Sequence, residues 1–282
     1  MNEAHYSGNL GLDATLRETK LTLPELITAL RALAEDASQC ILDLYAVLGE
    51  VAVSQKSDAS PVTEADHASH QLICQALQSL TPNIPILSEE STLEQLIGRR
   101  DWPVCWMIDP LDGTKEFLEG TGEFTVNIAL IERGRPVLGI VYAPALGRLF
   151  HTCDGATALE VSAGATRALA VRPVPPEGAV AVASHSHRDA ATDDWLAAHG
   201  IAETISIGSS LKFCLLAAGE ADVYPRFSPT MEWDTAAGDA VLRVAGGKVQ
   251  TPAGDDFTYG KSDYRNGAFV AFGGFSPITA ST

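Results

Sequence analysis

The chain has 282 residues, of which 46% are hydrophobic and 20% are charged, a composition typical of a folded globular protein and not of a disordered one. Its formal net charge of −17 argues against nucleic-acid polymers and anionic membranes as partners, because both would repel it. A small phosphorylated substrate is still compatible with this charge, since bound divalent cations reverse the sign of the field locally.

The N-terminal sequence and the cysteines both favour a cytoplasmic protein. Residues 1–21 lack a basic segment followed by an apolar core, the pattern typical of a signal peptide, and no apolar run is long enough for an integral membrane helix. The five cysteines are scattered and odd in number, which favours reduced thiols over disulfides or a zinc site. We therefore expect a cytoplasmic location, with peripheral membrane association and a homodimer left open.

The first half of the chain predicts two helices followed by short strands. Apolar residues recur at helical spacing over residues 23–48, and a second helical pattern runs through residues 72–80. Thr63 and Asp66, just before the second pattern, resemble a capping box. Extended segments are predicted at residues 51–53, 84–87, 104–108, 125–131, 136–142 and 148–152.

The pattern changes at the proline-rich segment 172–178, which is typical of a linker. Beyond it, short apolar runs alternate with helical segments. Strands are predicted at residues 179–183, 222–224, 248–251 and 268–272, and helices at residues 193–199, 209–218 and 233–244. The sequence therefore predicts an N-terminal α+β domain of residues 1–175 and a C-terminal α/β domain of residues 176–282.

The segment Asp109-Pro-Leu-Asp-Gly-Thr114 follows the apolar run 104–108, which predicts a buried strand ending at Asp109-Pro110. Two carboxylates three residues apart on a tight turn can converge on one hard cation. A helix beginning at Gly113 would also direct free N–H groups at a phosphate. The same residues fit an ordinary type I turn, with Asp first and Pro second. The turn alone does not decide between these interpretations.

Three further acids end strands or begin helices, namely Asp66, Glu89 and Asp234. Each has a structural explanation: Asp66 and Asp234 suit the first turn of a helix, and the pair Glu89-Glu90 is typical of solvated surface. The set nevertheless suits Mg²⁺, which takes oxygen ligands and keeps several waters. On spacing alone, the acids predict a divalent-metal site for a phosphate.

Other chemistries find little support in the sequence. It contains no motif of the serine hydrolases, the P-loop nucleotidases or the helical zinc peptidases, and no glycine-rich fingerprint for a nicotinamide cofactor. His185 and His187 are separated by one residue on a polar loop, an arrangement more typical of surface than of a transition-metal site.

Four segments resemble the signatures of the inositol monophosphatase superfamily, and their order and spacing cover most of the chain. They are Asp58-Ala-Ser-Pro-Val-Thr-Glu-Ala-Asp66, Leu87-Ser-Glu-Glu90, Trp106-Met-Ile-Asp-Pro-Leu-Asp-Gly-Thr-Lys-Glu-Phe117 and Trp233-Asp-Thr-Ala-Ala-Gly-Asp239. Within the superfamily, the third segment is similar to the CysQ-type 3'(2'),5'-bisphosphate nucleotidases, since inositol monophosphatases more often have Thr-Asn after Gly-Thr. Gly208-Ser-Ser-Leu-Lys212 and Tyr224-Pro-Arg226 also resemble the nucleotidase pattern.

The resemblance implies a mixed α/β protein with the layered αβαβα sugar-phosphatase fold. It implies a phosphomonoesterase that depends on two or three Mg²⁺ ions per active site and is typically inhibited by lithium. Carried over by motif, the metal ligands are Glu89, Asp109, the Leu111 carbonyl, Asp112 and Asp234.

The same motifs assign the catalytic and substrate-binding residues. Asp66 and Thr114 together orient and deprotonate the attacking water, and the N–H groups of Gly113 and Thr114 hold phosphate oxygens. Lys212 and Arg226 are candidates for binding a second phosphate, although ordinary surface charge and a helix cap explain them equally well. Ser209 and Ser210 are expected near the nucleoside, and the metal ligands Glu89, Leu111, Asp112 and Asp234 also face the substrate.

The expected reaction is hydrolysis of the 3'-phosphate of adenosine 3',5'-bisphosphate to AMP and phosphate, in sulfur assimilation or nucleotide recycling. The nearest alternative is an inositol or other sugar-phosphate phosphatase with the same metal site. More distant alternatives are a catalytically silent binding module and a soluble domain whose acids are only caps and turns. The intact set of acids argues against both of these.

Overall fold

The computed structural model describes residue 16 and residues 21–46, 53–55, 61–92, 102–184 and 188–277. The helices, numbered in chain order, are α1 Leu23–Tyr45, α2 Glu64–Leu80, α3 Thr114–Glu119, α4 Ala190–Ala198, α5 Leu211–Ala217 and α6 Trp233–Val244, with a 3-10 turn at Pro144–Leu146. The strands are β1 Val53–Gln55, β2 Pro61–Thr63, β3 Ile86–Ser88, β4 Val104–Asp112, β5 Thr125–Glu132, β6 Arg135–Ala143, β7 Arg148–Thr152, β8 Ala158–Ser162, β9 Ala165–Ala168, β10 Val180–Ala183, β11 Glu203–Ser206, β12 Val223–Arg226, β13 Thr230–Met231, β14 Lys248–Gln250, β15 Arg265–Asn266 and β16 Phe269–Phe272.

The larger sheet has seven strands in the order β3-β4-β5-β6-β7-β8-β9. Strand β3 runs parallel to β4, and every later pair is antiparallel. The β5–β6 hairpin turns at Arg133 and Gly134, whose φ angles of 47° and 74° match the left-handed conformation that tight hairpin turns require.

The smaller sheet has five strands in the order β11-β10-β12-β16-β14. Strand β10 is parallel to both β11 and β12, whereas β16 is antiparallel to its two neighbours. A separate two-stranded ladder joins β13 to β15, with Met231 opposite Arg265. Strand β13 lies directly before helix α6 in the chain, whereas β15 follows that helix.

Side chains of the large sheet alternate between two cores, as expected where both faces of a sheet are covered. Ile108 and Ile128 face the core formed with α1 and α2, whereas Met107 and Ala129 face the core formed with α5, α6 and the small sheet. A third cluster packs Leu196 of α4 against the outer face of the small sheet. The layers therefore follow the order αβαβα, and the predicted fold class is confirmed.

The contact between α6 and the large sheet depends on Gly139 of β6. A Cβ atom added at this position would lie 2.3 Å from the Ala237 carbonyl oxygen and 2.8 Å from the Ala240 Cβ. Because α6 carries Asp234, the absence of a side chain at Gly139 sets how closely that acid approaches the end of β4.

The proline-rich segment is tied to the protein at its first residue. Arg172 donates from Nε and Nη2 to the two carboxylate oxygens of Asp222, at 3.0 Å each. Asp222 also accepts a 2.8 Å hydrogen bond from the Val180 N–H. The large sheet ends before this segment and the small sheet begins after it, while one core includes residues from both. The division into domains at residues 175 and 176 stays a prediction.

Several predicted elements need correction. The strand expected to stop at residue 108 continues to Asp112, because its pairing with β5 resumes after an irregularity. Helix α4 begins at Ala190, three residues before the predicted start, because Asp189 caps it by accepting from the Thr192 N–H. The sequence did not predict six of the strands, namely β2, β8, β9, β11, β13 and β15. Some predictions lie outside the described residues and side chains, namely those for residues 47–48 and 51–52, for His185 and His187, and for the Thr63 side chain.

Candidate active site

A cavity of about 590 Å³ collects residues from elements of both sheets. This volume is within the range of small-molecule sites. Its lining combines acidic and basic side chains. The acids are Glu89, Asp109, Asp112, Glu116 and Asp234, and the bases are Lys115, Lys212, Arg226 and Arg265. Leu111, Gly113, Thr114 and Ser209 also line the cavity, whereas Asp66 and Ser210 are not among the lining residues.

An irregularity in β4 explains how Asp109 and Asp112 reach the same cavity. Residues three apart on a regular strand point to opposite faces. Here Asp109 pairs with Asn127 while Asp112 pairs with Thr125. Strand β4 therefore contains one more residue than β5 between these two pairs, as in a β-bulge, and both acids point to the same face of the sheet. The Leu111 N–H donates to Asp109 Oδ1 at 3.1 Å, which stabilises the bend. The two interpretations of residues 109–114, as a turn and as a cation site, are therefore compatible, because the bend brings the two acids together.

Gly113 joins this bend to helix α3. Its φ of 92° is in the left-handed region that favours glycine, and a Cβ there would lie 3.2 Å from the Glu123 carbonyl oxygen. Thr114 begins α3, and its hydroxyl donates to the Leu111 carbonyl at 3.4 Å. The helix therefore begins one residue after Gly113, and Gly113 and Thr114 both border the cavity.

The position of Asp112 is set by residues from distant parts of the chain. Its Oδ2 atom accepts hydrogen bonds from the Ser210 N–H at 2.6 Å, the Asn127 Nδ2 at 3.3 Å and the Thr125 hydroxyl at 3.4 Å. The Ser210 hydroxyl in turn donates to Asn127 Oδ1 at 2.7 Å. All three bonds to the carboxylate end on Oδ2, which leaves the Oδ1 atom of Asp112 for a ligand.

Asp234 is held in a similar way at the first turn of α6. Its Oδ2 accepts from the Met231 N–H at 2.9 Å and from the hydroxyl of Thr230. These bonds explain Asp234 as a first-turn acid, as the structural interpretation predicts. Asp234 nevertheless lines the cavity with Asp109 and Asp112, so the structural and functional interpretations are compatible.

Glu89 and Asp66 approach the same turn from two other elements. Glu89 follows β3, and its N–H donates to the Ile108 carbonyl at 3.2 Å. Parallel pairing of β3 with β4 therefore places Glu89 beside the start of the turn formed by residues 109–114, which we call the acid turn. Asp66 is buried on α2 with 1% of its surface exposed. One turn later, the Ser69 hydroxyl donates to the Pro110 carbonyl at 2.9 Å and ties α2 to this turn.

The carboxylates of the cavity repel one another, which raises the pKa values of Asp109 and Asp112. Burial raises the pKa of Asp109 well above its ordinary value, and Glu89, Asp112, Asp234 and Asp66 raise it further. Burial and the charge of Asp234 raise the pKa of Asp112 to about 7, against the lowering effects of Lys212 and of the Ser210 N–H. Carboxylates crowded in this way fit a hard divalent cation, which would favour their ionised forms.

The described residues do not form a closed metal cage. Among them, no group of three or more histidine, cysteine, aspartate or glutamate side chains is already arranged to enclose an ion. Magnesium sites commonly combine one or two carboxylates with waters and substrate phosphates. Oxygen ligands that come from several elements are compatible with this kind of magnesium site.

Lys212 is the most deeply buried of the basic residues, with 2% of its surface exposed. Its Nζ donates to the carbonyls of Ile207 at 3.2 Å and Ser209 at 2.6 Å. Lys212 is therefore not an ordinary surface charge. The Ser209 φ of 48° is left-handed, and this kink precedes the Ser210 N–H that holds the acid turn.

Arg226 is also held by its surroundings. Its guanidinium donates to the carbonyls of Ser228 and Pro229 at 3.3 and 3.0 Å and to the Tyr224 hydroxyl at 3.3 Å. Burial opposes the charge of Arg226, but Tyr224, Asp234 and Asp112 favour it and leave its pKa raised. Arg226 therefore lies within electrostatic reach of the acids.

Sequence reasoning missed several residues of the cavity and of its support, namely Glu116, Asn127, Thr230, Glu232 and Arg265. Asn127 alone had a visible signal, since it is a polar residue inside the apolar run of β5. The roles predicted for the metal, catalytic and substrate residues stay predictions, but the cavity and its immediate surroundings contain all of them.

Comparison with known proteins agrees with these observations. The sequence profile of the inositol monophosphatase family matches residues 22–272. The chain belongs to the inositol monophosphatase family. The family and the CysQ-type resemblance predicted from the motifs are therefore confirmed, and the chain is an enzyme of the phosphatase class.

Named relatives within the family extend over most of the chain. The chain is 46% identical over 227 residues to the 3'(2'),5'-bisphosphate nucleotidase CysQ of Salmonella typhimurium, an alignment that covers 80% of this chain and 91% of that protein. Identity to the Escherichia coli K12 protein of the same name is 45% with the same coverage. The crystal structure of CysQ from Bacteroides thetaiotaomicron superposes with a TM-score of 0.77 at 37% identity, covering 90% of this chain and 98% of that one.

Family membership implies that the enzyme depends on a divalent metal. Within the described residues, no helix is both long enough and apolar enough to span a bilayer.

Proposed function

We propose that this enzyme is a magnesium-dependent 3'(2'),5'-bisphosphate nucleotidase that hydrolyses the 3'-phosphate of adenosine 3',5'-bisphosphate to AMP and phosphate. The observation that carries the proposal is one cavity lined by both crowded carboxylates and several cations. The acids suit a metal-bound phosphate under attack, and the cations suit a second phosphate on the same substrate. The curated relatives named as such nucleotidases support this substrate class.

Glu89, Asp109, the Leu111 carbonyl, Asp112 and Asp234 would hold two or three Mg²⁺ ions in this proposal. Bound magnesium would neutralise the negative charge of the phosphate and lower the pKa of the attacking water. The protein's part is to present oxygen ligands that are already oriented. The Asp112 and Asp234 carboxylates are each fixed through Oδ2, so little rotational freedom remains to be lost when a ligand binds.

Asp66 and Thr114 form the proposed proton acceptor. Asp66 is buried on α2, and Thr114 is the first residue of α3 beside the acid turn. Their combined role is to orient a water and take its proton as the water oxygen bonds to phosphorus. The bond from phosphorus to the ribose oxygen breaks in the same displacement. That oxygen takes a proton from a solvent water, and the Asp66–Thr114 pair returns its proton to solvent, so the products are a ribose hydroxyl and phosphate. The N–H groups of Gly113 and Thr114 would hold the phosphate oxygens meanwhile.

The remaining proposed contacts concern the nucleoside and the second phosphate. Ser209 lines the cavity, while Ser210 supports Asp112 and directly precedes α5. Lys212 and Arg226 supply positive charge close to the acids. We also propose cytoplasmic location, inhibition by lithium and a place in sulfur assimilation or nucleotide recycling. The homodimer stays an untested prediction.

The proposal is tested by phosphate release with Mg²⁺ from adenosine 3',5'-bisphosphate, inositol 1-phosphate and fructose 1,6-bisphosphate, compared by kcat/KM. We expect the adenosine bisphosphate to be strongly preferred and AMP to be the nucleotide product. Preference for an inositol or hexose phosphate would overturn the substrate assignment, and formation of adenosine 3'-monophosphate would overturn the assignment of the bond that breaks.

A further inference from the structure

Arg265 differs in its position from Lys212 and Arg226, two other basic residues of the cavity. Lys115, the other exposed basic residue of the lining, forms an ion pair with Glu119. Arg265 lies on β15, opposite Met231 of β13, and is exposed to solvent while lining the cavity. Lys212, in contrast, is buried. Arg265 therefore occupies the solvent side of the cavity. Since the N–H of its partner Met231 donates to Asp234, the backbone of Arg265 is one strand away from a proposed metal ligand.

The segment that carries Arg265 is fixed to the start of α6 by Glu232, whose side chain is fully buried. The Glu232 carboxylate accepts from the N–H groups of Gly260 and Lys261 at 3.0 Å each, and from Lys261 Nζ at 3.3 Å. The Glu232 N–H donates to the Tyr264 carbonyl at 2.7 Å. These contacts hold the residues on the N-terminal side of Arg265.

Asn266 fixes the other side of Arg265. Its Nδ2 donates to the Met231 carbonyl at 3.1 Å and to the Thr235 hydroxyl at 2.9 Å. Asp234 and the backbone of Arg265 therefore belong to one hydrogen-bonded unit at the N-terminus of α6. A cation can bind one group of a substrate while neighbouring acids bind metal at another group only if the distance between cation and acids is fixed.

Most donors of Lys212 and Arg226, the inner cations of the cavity, already have partners in the protein. Lys212 donates to two carbonyls, and Arg226 donates to two carbonyls and a hydroxyl. Both also interact with the charge of Asp112. The guanidinium of Arg265 has no hydrogen-bond or ion-pair partner among the residues that the structure describes. Its planar donor group is therefore available to a ligand.

We propose that Arg265 binds the second phosphate of the substrate, the one that is not hydrolysed, at the mouth of the cavity. This inference rests on the proposed function and adds a specificity residue to it. The two phosphates of the substrate lie on different ribose carbons, so the second phosphate cannot share the metal-binding acids. A guanidinium that faces solvent can make two parallel hydrogen bonds to such a phosphate.

The test compares Arg265→Ala and Arg265→Lys with the unsubstituted enzyme on adenosine 3',5'-bisphosphate and adenosine 3'-monophosphate. The ratio of the two kcat/KM values measures how strongly the 5'-phosphate is recognised. We expect Arg265→Ala to lower this ratio about 10- to 100-fold, as loss of hydrogen bonds to a charged group does. Arg265→Lys should recover only part of it. The control is Arg135→Ala, which replaces a partly exposed arginine paired with Asp256 outside the cavity and should leave the ratio unchanged.

A binding measurement separates this inference from the proposed function. Calorimetric titration with AMP and with adenosine reports 5'-phosphate recognition without turnover. If the enzyme prefers inositol 1-phosphate but Arg265→Ala still weakens AMP binding about tenfold or more, the proposed function fails and the inference holds. If the bisphosphate is preferred and Arg265→Ala changes neither the ratio nor AMP affinity, the inference fails and the proposed function holds. Equal losses on both substrates would also overturn it, because they indicate a structural role.

Discussion

The Ser210 N–H donates a 2.6 Å hydrogen bond to the Asp112 carboxylate, although 98 residues separate the two in the chain. Asp112 ends a strand of the large sheet, and Ser210 directly precedes helix α5. The bond therefore fixes a proposed metal ligand from the first half of the chain with backbone from the second. It also favours the charged form of Asp112, which the neighbouring acids disfavour.

Asp112→Asn should reduce phosphate release with Mg²⁺ by at least about 100-fold, because it removes a charged oxygen ligand while keeping the shape of the side chain. The amide oxygen can still accept from Ser210, so the fold should be preserved. Asp256→Asn, which changes an exposed acid outside the cavity, serves as control. Normal turnover by a folded Asp112→Asn enzyme would disprove the metal-site assignment.

The same substitution should stabilise the protein in EDTA. The pKa of Asp112 is raised from 3.8 to about 7, so its destabilising effect is fully present above pH 7. The effect is relieved as the pH falls from about 7 to about 4, since the folded state takes up the proton first. The pKa values of His70 and His151 are lowered in the folded protein, so these residues reduce stability as the pH falls, because the unfolded state takes up their protons first. This effect is the same in both proteins and cancels from the difference between them.

The measurement is the melting temperature of both proteins across this pH range. The Asp112→Asn protein should melt several degrees higher at pH 8, and the difference should shrink toward pH 5. Saturating Mg²⁺ should reverse the order, because metal binds the ionised carboxylate. A pH-independent difference in EDTA would contradict the crowding of the acids.

Asp66→Asn should lower kcat by about 10²- to 10⁴-fold, as loss of a general base does, while leaving the Mg²⁺-induced rise in melting temperature largely intact. The matched control is Glu64→Gln. Glu64 is also an acid in the first turn of α2, but it is exposed, so its replacement should have little effect. If Asp66→Asn instead abolished the Mg²⁺-induced stabilisation, Asp66 would be a metal ligand and not the base.

Gly139→Ala should destabilise the protein by about 1–3 kcal/mol, the usual cost of overpacking a core. The new methyl group would lie 2.3 Å from the Ala237 carbonyl oxygen, a backbone atom of α6. Gly267→Ala is the control, because a Cβ there meets no atom within 4 Å, and it should change stability by less than about 0.5 kcal/mol. Denaturant titration distinguishes the two, and equal stabilities would show that α6 moves aside without cost.

Local patterns predicted the parts of this fold that depend on local forces. Helix α6 was predicted with the observed bounds because its apolar spacing and flanking glycines are both visible in the sequence. The end of β4 was predicted wrongly because its extension depends on pairing with β5, which lies beyond a helix and a loop. Strand β9 is exposed along its whole length, so it has no hydrophobic pattern to detect.

The residues of the candidate site also divide into those that local sequence patterns predict and those that only the folded chain reveals. The acids were predictable because their motifs are contiguous, whereas Arg265 belongs to a two-residue strand whose partner lies more than thirty positions earlier. Glu232 reads as another acid before a helix, and only the folded chain shows that it holds the segment of residues 260–264. Contacts between segments far apart in sequence leave no periodic signal in either segment.

The bond between Ser210 and Asp112 also has a consequence for how the enzyme folds. The β5–β6 hairpin joins neighbouring segments and can form early, because little chain has to be ordered before its contacts are made. The acid turn reaches its final state only after α5 has docked across a loop of 98 residues, a closure with a larger entropic cost. In refolding from denaturant, phosphatase activity is therefore expected to return only in the last kinetic phase, after most of the secondary structure.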